Sequence, residues 1–139
     1  MRRFVIFDLP SQMEQLSPLA VNVTQHKETE APFSKNYKIF KNVKTDYFCC
    51  TVCQNRLFSA SSSFDSGCGW PAFNASLEGQ IALVEDNSHG MKRVEAVCAK
   101  CKAHLGHLFE GERGPKSLRY CINAVSLGYM DDGRYIRFE

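Results

Sequence analysis

The chain has 139 residues and a formal net charge of +2, from 17 lysines and arginines against 15 aspartates and glutamates. This length suits one domain with a single core, and so small a charge does not favour a nucleic-acid-binding surface. No apolar run is long enough for a membrane span, and the N-terminus lacks the cleavage site and unbroken apolar run of a signal peptide.

The chain is rich in cysteine, and the number of cysteines is odd. A secreted protein cross-linked by disulfides would normally pair all its thiols. Two of the spacings are Cys-x-x-Cys, which is typical of metal knuckles in reduced compartments. We therefore expect a cytoplasmic protein. The seven cysteines are Cys49, Cys50, Cys53, Cys68, Cys98, Cys101 and Cys121.

The first twenty residues carry little structural information, and residues 1–20 are treated as an N-terminal extension of unclear role before one domain at 21–139. A short helix is predicted at 11–19, ended by Pro18. Residues 21–33 are polar and are predicted to form an extended wrap rather than a regular element.

From residue 37 onward short apolar runs alternate with polar breaks, and no long helical period is present. Asp132-Gly133 is typical of a tight turn, so the last two strands should pair antiparallel. The sequence therefore predicts a mainly β, antiparallel fold with a little helix near the N-terminus. The predicted strands are 37–40, 46–50, 80–85, 93–98, 118–129 and 134–138.

Two pairs of thiols, Cys50 with Cys53 and Cys98 with Cys101, have knuckle spacing. Four thiolates favour one structural zinc ion in a closed tetrahedral site, which would clip two distant hairpins together. Two redox dithiols or two disulfides are the alternatives. Cys49 with Cys53 is a looser pairing, and spacing selects Cys50 as the ligand, leaving Cys49 as a packed thiol. Lys102 stands where knuckles often carry glycine, so a left-handed turn there would be strained.

The stretch 118–125 alternates as a half-buried strand would, with Arg119, Cys121 and Asn123 on its polar face. An arginine beside a thiol favours the thiolate, which is the reactive form. This pattern indicates a reactive site. The alternative is a strand with an ordinary buried cysteine.

Further candidate site residues lie in two other segments. Cys68 has glycine on both sides, which suits a mobile thiol, and with four cysteines assigned to zinc it is a plausible redox partner of Cys121. Trp70 is either a pocket wall or a core anchor. His104 and His107 are either a proton donor and an orienting group, surface histidines, or ligands of a second kind of metal site with the Cys98 pair.

Several motifs together resemble the zinc-containing B-type methionine sulfoxide reductases, which are peptide-methionine (R)-S-oxide reductases. The resemblance runs from about residue 23 to residue 129, in motif order and spacing. Ala72, Ala124 and Lys102 depart from common family residues without removing a reacting group. The motifs are Gly67-Cys68-Gly69-Trp70-Pro71, His104-Leu105-Gly106-His107, Arg119-Tyr120-Cys121-Ile122-Asn123, the two Cys-x-x-Cys pairs, Val23-Thr24-Gln25, Thr29-Glu30-Ala31-Pro32-Phe33 and Ser88-His89-Gly90-Met91.

The resemblance implies a fold of two antiparallel sheets in an open barrel-like body, and roles for the candidate residues. Cys121 would be the nucleophile and Cys68 the resolving cysteine. Trp70 would receive the methyl group of the sulfoxide, and Arg119 would be the cation near the nucleophile. The polar groups around the sulfoxide oxygen would be His104, His107 and Asn123, with His104 as the preferred donor.

The reaction implied by the resemblance is reduction of methionine-R-sulfoxide, with a Cys68–Cys121 disulfide recycled by thioredoxin or a similar dithiol. The substrate would be oxidised methionine in proteins, and the chain is expected to be a monomer that binds neither nucleic acid nor membrane. A zinc-stabilised protein-binding module without redox activity is the alternative function.

Overall fold

The computed structural model describes residues 14–139, which form two antiparallel sheets preceded by two short helices. One sheet has the strand order β2-β1-β8-β9 and the other β3-β7-β6-β5-β4. Within these residues the sheets do not close into a single barrel, and no helix is long and apolar enough to cross a bilayer. The predicted mainly β fold of two antiparallel sheets is confirmed.

The elements have the following bounds. The helices are α1 (Pro18–His26) and α2 (Lys35–Phe40). The strands are β1 (Tyr47–Cys50), β2 (Arg56–Ser59), β3 (Ala72–Phe73), β4 (Ile81–Asp86), β5 (Arg93–Cys98), β6 (His104–Glu110), β7 (Leu118–Ile122), β8 (Leu127–Asp131) and β9 (Arg134–Arg137).

An aromatic cluster joins the two sheets and the helices in one core. The Phe58 and Phe73 rings, both fully buried, stack with their centroids 4.1 Å apart. Phe40 of α2 packs against Phe73 and against Phe48 of β1. Because burying one such ring is worth about 2 kcal/mol, this cluster is a main source of stability and fixes the sheets relative to each other.

Helix α1 begins at Pro18, where the sequence predicted that a helix would end. Ser17 caps it, because its Oγ accepts the backbone N–H of Ala20 at 3.1 Å, and proline is well tolerated in the first turn, where N–H groups have no helical partner. The extended wrap predicted for 21–33 is therefore wrong as far as His26. The helix also crosses the boundary expected between residues 20 and 21, and the early part of the helix predicted at 11–19 lies outside the described residues.

Residues 37–40 were predicted as a strand and are the end of helix α2. Ser34 starts this helix by accepting the backbone N–H of Tyr37 at 3.1 Å. Asn36, Tyr37 and Phe40 are its buried residues, which is the spacing of one helical face. The capping serine decides the structure here, and the short apolar run alone did not show it.

The single strand predicted at 118–129 is wrong, because the chain turns after β7 and enters the other sheet as β8. A 3-10 turn, Ala124–Ser126, separates the two strands, and every residue from 122 to 128 is buried. Alternation thus holds within β7 and ends at Ile122. Strands β2, β3 and β6 were not predicted, whereas the hairpin of β8 and β9 across Asp132-Gly133 is confirmed.

Candidate active site and metal centre

Four cysteine sulfurs form one cluster at the ends of two hairpins. The Sγ atoms of Cys50, Cys53, Cys98 and Cys101 all lie within 4.8 Å of one another, and Cys50–Cys101 and Cys53–Cys98 are each 3.6 Å apart. Tetrahedral zinc with sulfur ligands requires sulfurs about 3.8 Å apart, given a Zn–S bond of about 2.3 Å. The four thiols therefore fit a single metal ion, whereas Cys49 is buried outside the cluster.

The two knuckle turns have the same backbone geometry. Gln54 follows the first pair with φ of 66°, and its N–H donates to the Cys50 carbonyl at 2.9 Å. Lys102 follows the second pair with φ of 65°, and its N–H donates to the Cys98 carbonyl at 2.8 Å. The left-handed turn considered at Lys102 is therefore present, and a bound metal would join the two sheets, since β1 and β5 belong to different ones.

Cys121 lies on β7, which is an interior strand of the five-stranded sheet, between β3 and β6. Its register partners are His107 on β6 and Ala72 on β3. Strand β6 passes so close that a Cβ placed on Gly106 would lie 1.9 Å from the Cys121 carbonyl oxygen. Glycine is thus required at 106, and the close strands hold the Cys121 backbone rigidly.

Cys68 reaches Cys121 from a loop outside the sheet. The two Sγ atoms are 3.9 Å apart, and Ser66 Oγ donates to the Cys68 sulfur at 2.9 Å. The flanking glycines, Gly67 and Gly69, have φ of 76° and 90°, values that favour glycine. A disulfide requires about 2.05 Å, so a small movement of this loop is enough to bond the two sulfurs.

The two sulfurs titrate as a pair. Hydrogen bonding from Cys121 lowers the pKa of Cys68 to about 5, helped by Ser66 and by the positive charge of Arg119. The same contact and then burial raise the pKa of Cys121, against the influence of Arg119. At neutral pH the pair therefore holds one proton and one negative charge. Movement of that proton from Cys121 to Cys68 places the thiolate on Cys121.

Arg119 lies beside the thiols on the outer side of β7. Its guanidinium pairs with Glu112, at 2.7 Å from Nε to Oε1, and stacks over the Phe109 ring at 4.4 Å. This pairing raises the pKa of Arg119 and fixes its charge. Arg119 and Cys68 line an outer cavity of about 350 Å³, and Cys121 lines a different one.

The inner cavity, of about 110 Å³, lies against the Cys121 thiol. Trp70 is one wall of this cavity, and its Nε1–H donates to the Glu30 carbonyl at 2.7 Å. The tryptophan is therefore a pocket wall held at a fixed angle. The cavity is lined by Thr29, Trp70, Arg93, Gly106, His107, Phe109, Cys121, Ile122 and Asn123.

Both predicted histidines are buried on β6, and each is held by a carboxylate. His107 Nε2 donates to Asp86 Oδ2 at 2.7 Å, and His104 Nδ1 donates to Glu95 Oε2 at 2.6 Å. The histidine rings are 5.5 Å apart. His107 lines the cavity and His104 does not, although His104 Nε2 is buried without a hydrogen-bond partner among the described residues. Neither ring joins the cysteine cluster, so a mixed cysteine–histidine metal site is not formed.

Asn123 also lines the cavity, and both its amide oxygen and its amide nitrogen bond to the backbone. Oδ1 accepts the Glu30 N–H at 2.8 Å, and Nδ2 donates to the Leu105 carbonyl at 3.0 Å. The side chain is therefore fixed between β6 and the segment before α2.

Three carboxylates that the sequence analysis did not select support this site. Glu30 is buried, accepts from Ser34, Asn36 and the Val125 N–H, and through its backbone holds both Trp70 and Asn123. It lies in one of the motifs of the resemblance, which was the available signal. Asp86 and Glu95 lie on strands, where no local pattern distinguishes a buried carboxylate from an exposed one.

Comparisons with known proteins agree with this geometry. The SelR domain family matches residues 16–131. The chain is 51% identical over 116 residues to the peptide methionine sulfoxide reductase MsrB of Pseudomonas syringae pv. syringae, which covers 82% of this chain and 86% of that protein. It is 50% identical over the same length to the MsrB of Pseudomonas savastanoi pv. phaseolicola. The chain therefore belongs to the SelR domain family of B-type methionine sulfoxide reductases.

Proposed function

We propose that this chain reduces methionine-R-sulfoxide, chiefly in oxidised proteins, to methionine. The observation that carries the proposal is the Cys68–Cys121 pair, 3.9 Å apart, with Cys121 facing a cavity walled by Trp70 and His107. A nucleophilic thiol, a second thiol within reach and an apolar wall are the parts that sulfoxide reduction by cysteine requires.

In the proposed complex the methyl group of the sulfoxide packs against Trp70. The indole is held by its hydrogen bond to Glu30, so the wall is already in place before the substrate arrives. The sulfoxide oxygen lies toward His107, which is the register neighbour of Cys121. Selection of the R epimer follows from membership of the family.

The first chemical step converts the Cys121 thiolate to a sulfenic acid. The thiolate attacks the sulfoxide, the S–O bond breaks with uptake of one proton, and methionine leaves while the oxygen remains on Cys121. His107 is our preferred proton donor in place of His104, because it lines the cavity. Hydrogen bonding from His107 lowers the pKa of Asp86, so Asp86 stays ionised and holds the His107 ring in the cavity wall.

The second step forms the Cys68–Cys121 disulfide. The Cys68 sulfur attacks the sulfenic sulfur, and the oxygen leaves as water with two protons. One of these protons is the one that Cys68 received from Cys121 before the first step, and the other is on the sulfenic oxygen. Thioredoxin or a similar dithiol then reduces the disulfide by exchange and is itself oxidised.

We further propose that the cysteine cluster holds one structural zinc ion and that the chain acts as a cytoplasmic monomer. The sulfur spacing supports zinc, and the use of six thiols in reduced form supports a reducing compartment. Zinc supplies folding energy and takes no part in the reaction, because four thiolates leave no open coordination position.

The test is turnover of methionine-R-sulfoxide with a chemical dithiol. Cys121→Ser should reduce activity by more than about a thousandfold, since the nucleophile is lost. Cys68→Ser should release one methionine per chain without the Cys68–Cys121 disulfide seen by mass spectrometry in wild type. Cys49→Ser is the control, because Cys49 is buried and belongs to neither thiol group. A folded, zinc-loaded wild type that does not turn over the sulfoxide would instead favour a binding module.

A further inference from the structure

One lysine connects the two carboxylates that hold the two histidines. Lys27 Nζ lies 3.2 Å from Asp86 Oδ1 and 3.2 Å from Glu95 Oε1. The other oxygens of these carboxylates accept from His107 and His104. An unbroken chain of ion pairs and hydrogen bonds therefore runs from one histidine to the other through the Lys27 ammonium.

The backbone at Lys27 is unusual for a lysine. The residue ends helix α1 in the left-handed conformation, with φ of 61° and ψ of 29°, and its N–H donates to the Asn22 carbonyl. Glycine or asparagine usually occupies such a position, since a side chain makes the conformation costly. The conformation directs the Lys27 side chain to two buried carboxylates on β4 and β5.

The charges around the histidines balance only when Lys27 is included. Asp86 and Glu95 contribute two negative charges, and Lys27 and Arg93 contribute two positive ones, Arg93 being 3.4 Å from Asp86. The other titratable groups facing this cluster are His104 and His107 on β6 and Cys121 on β7. With both histidines neutral, the four charged groups have no net charge.

We propose that Lys27 is a positioning residue for the sulfoxide-reducing site. Its ammonium holds Asp86 and Glu95 in one arrangement, so that His107 faces the cavity and His104 stays neutral. The inference rests on the proposed function for its effect on catalysis, but its effect on the histidines is independent of that function.

Removal of the lysine has a defined electrostatic consequence. Burial lowers the pKa of His104, the Glu95 carboxylate opposes this, and the Lys27 charge adds to the lowering. Without Lys27 the cluster carries one net negative charge, which favours the protonated form of His104. The pKa of the buried His104 ring should therefore rise.

The experiment compares Lys27→Met, Lys27→Arg and wild type, with Lys38→Met as a control at an exposed lysine. NMR titration of the His104 ring should give a higher pKa in Lys27→Met, and the wild-type value in Lys27→Arg and Lys38→Met. With methionine-R-sulfoxide as substrate, kcat of Lys27→Met should fall about tenfold, with KM changed less than about twofold, and Lys27→Arg should recover most of kcat.

Two results would overturn the proposal: a His104 titration in Lys27→Met identical to that of wild type, or an unchanged kcat. If Lys27 served only to end helix α1, Lys27→Met would lower the melting temperature and leave the pKa of His104 unchanged. If wild type does not reduce the sulfoxide, the proposed function fails, and the titration still decides whether Lys27 sets the state of His104.

Discussion

Two groups of thiols lie in this molecule at nearly the same spacing, and we assign different chemistry to them. Sulfurs of the metal cluster approach to 3.6 Å, and those of the Cys68–Cys121 pair to 3.9 Å. The cluster has four thiols, carried by two turns of the same geometry on strands of different sheets. Sulfur spacing alone thus does not separate a metal site from a redox site.

The difference lies in the number of thiols and in the freedom of the backbone. Cys50 and Cys98 are fully buried strand ends, and the four sulfurs of the cluster have the spacing to enclose one ion. Cys68 lies in a loop where a Cβ on Gly67 would meet nothing within 4 Å. The loop therefore leaves room for the pair to close to a disulfide, whereas a metal ion bound in the cluster would fix its four sulfurs.

The largest effect is expected when the four-cysteine cluster loses one of its thiols. Cys98→Ser, or removal of the metal by a strong chelator, should unfold the chain or abolish cooperative folding at 37 °C, because the free energy of zinc binding, about 10 kcal/mol or more in small zinc domains, is also folding energy. Metal analysis should give one zinc per wild-type chain and circular dichroism should follow unfolding.

Cys49→Ala is the matched control for this experiment. Cys49 neighbours Cys50 and is buried, but lies outside the cluster, so the variant should keep its zinc and its fold. A Cys98→Ser protein that melts within a few degrees of wild type would show that the cluster does not stabilise the fold.

A smaller effect is expected at Glu30, which supports the cavity beside Cys121. Its carboxylate accepts from Ser34 Oγ at 3.0 Å, Asn36 Nδ2 at 3.1 Å and the Val125 N–H at 3.2 Å. Glu30→Gln places an amide N–H₂ against one of these donors, which should cost about 2 kcal/mol of the free energy of unfolding. Urea denaturation measures that loss.

The same variant should weaken substrate binding more than the chemical step. Glu30 holds the Trp70 indole and Asn123 through its backbone, so a shifted segment opens the cavity wall. We expect KM for methionine-R-sulfoxide to rise about fivefold and kcat to fall less, by the usual reading of lost binding contacts. Glu28→Gln, at an exposed glutamate, is the control. Equal stability of the two variants would exclude the support role.

The reacting residues could be predicted from the sequence, whereas most of the residues that support them could not. Knuckle spacing selected the cysteines that form the cluster, and alternation identified the strand that carries Cys121, because both patterns are local. The cap at Ser34 and the turn after Ile122 were missed, since short apolar runs do not distinguish a strand from a capped helix. Asp86, Glu95 and Lys27 act only through contacts distant in sequence, which no local pattern contains.

The smallest effect is expected on the reaction rate of the Cys68 thiol, which depends on the pKa of Cys68. Its pKa of about 5 depends first on the hydrogen bond from Cys121, so Cys121→Ala should return it toward 9.0. At pH 6 Cys68 is then almost wholly thiolate in wild type and about a thousandth thiolate in the variant. A thiolate of lower pKa is a weaker nucleophile, and this offsets most of the larger thiolate fraction in wild type. Cys68 of wild type should therefore react about tenfold faster than Cys68 of Cys121→Ala.

A disulfide probe such as dithiodipyridine measures that rate, with the modified peptide identified by mass spectrometry. In wild type the rate at Cys68 should decline as the pH falls through about 5, because protonation removes the thiolate. In Cys121→Ala the rate should still be rising at pH 8. The zinc-loaded cluster is the internal reference, since its thiolates should stay unmodified in both proteins. Identical pH profiles for the two proteins would mean that Cys121 does not set the acidity of Cys68.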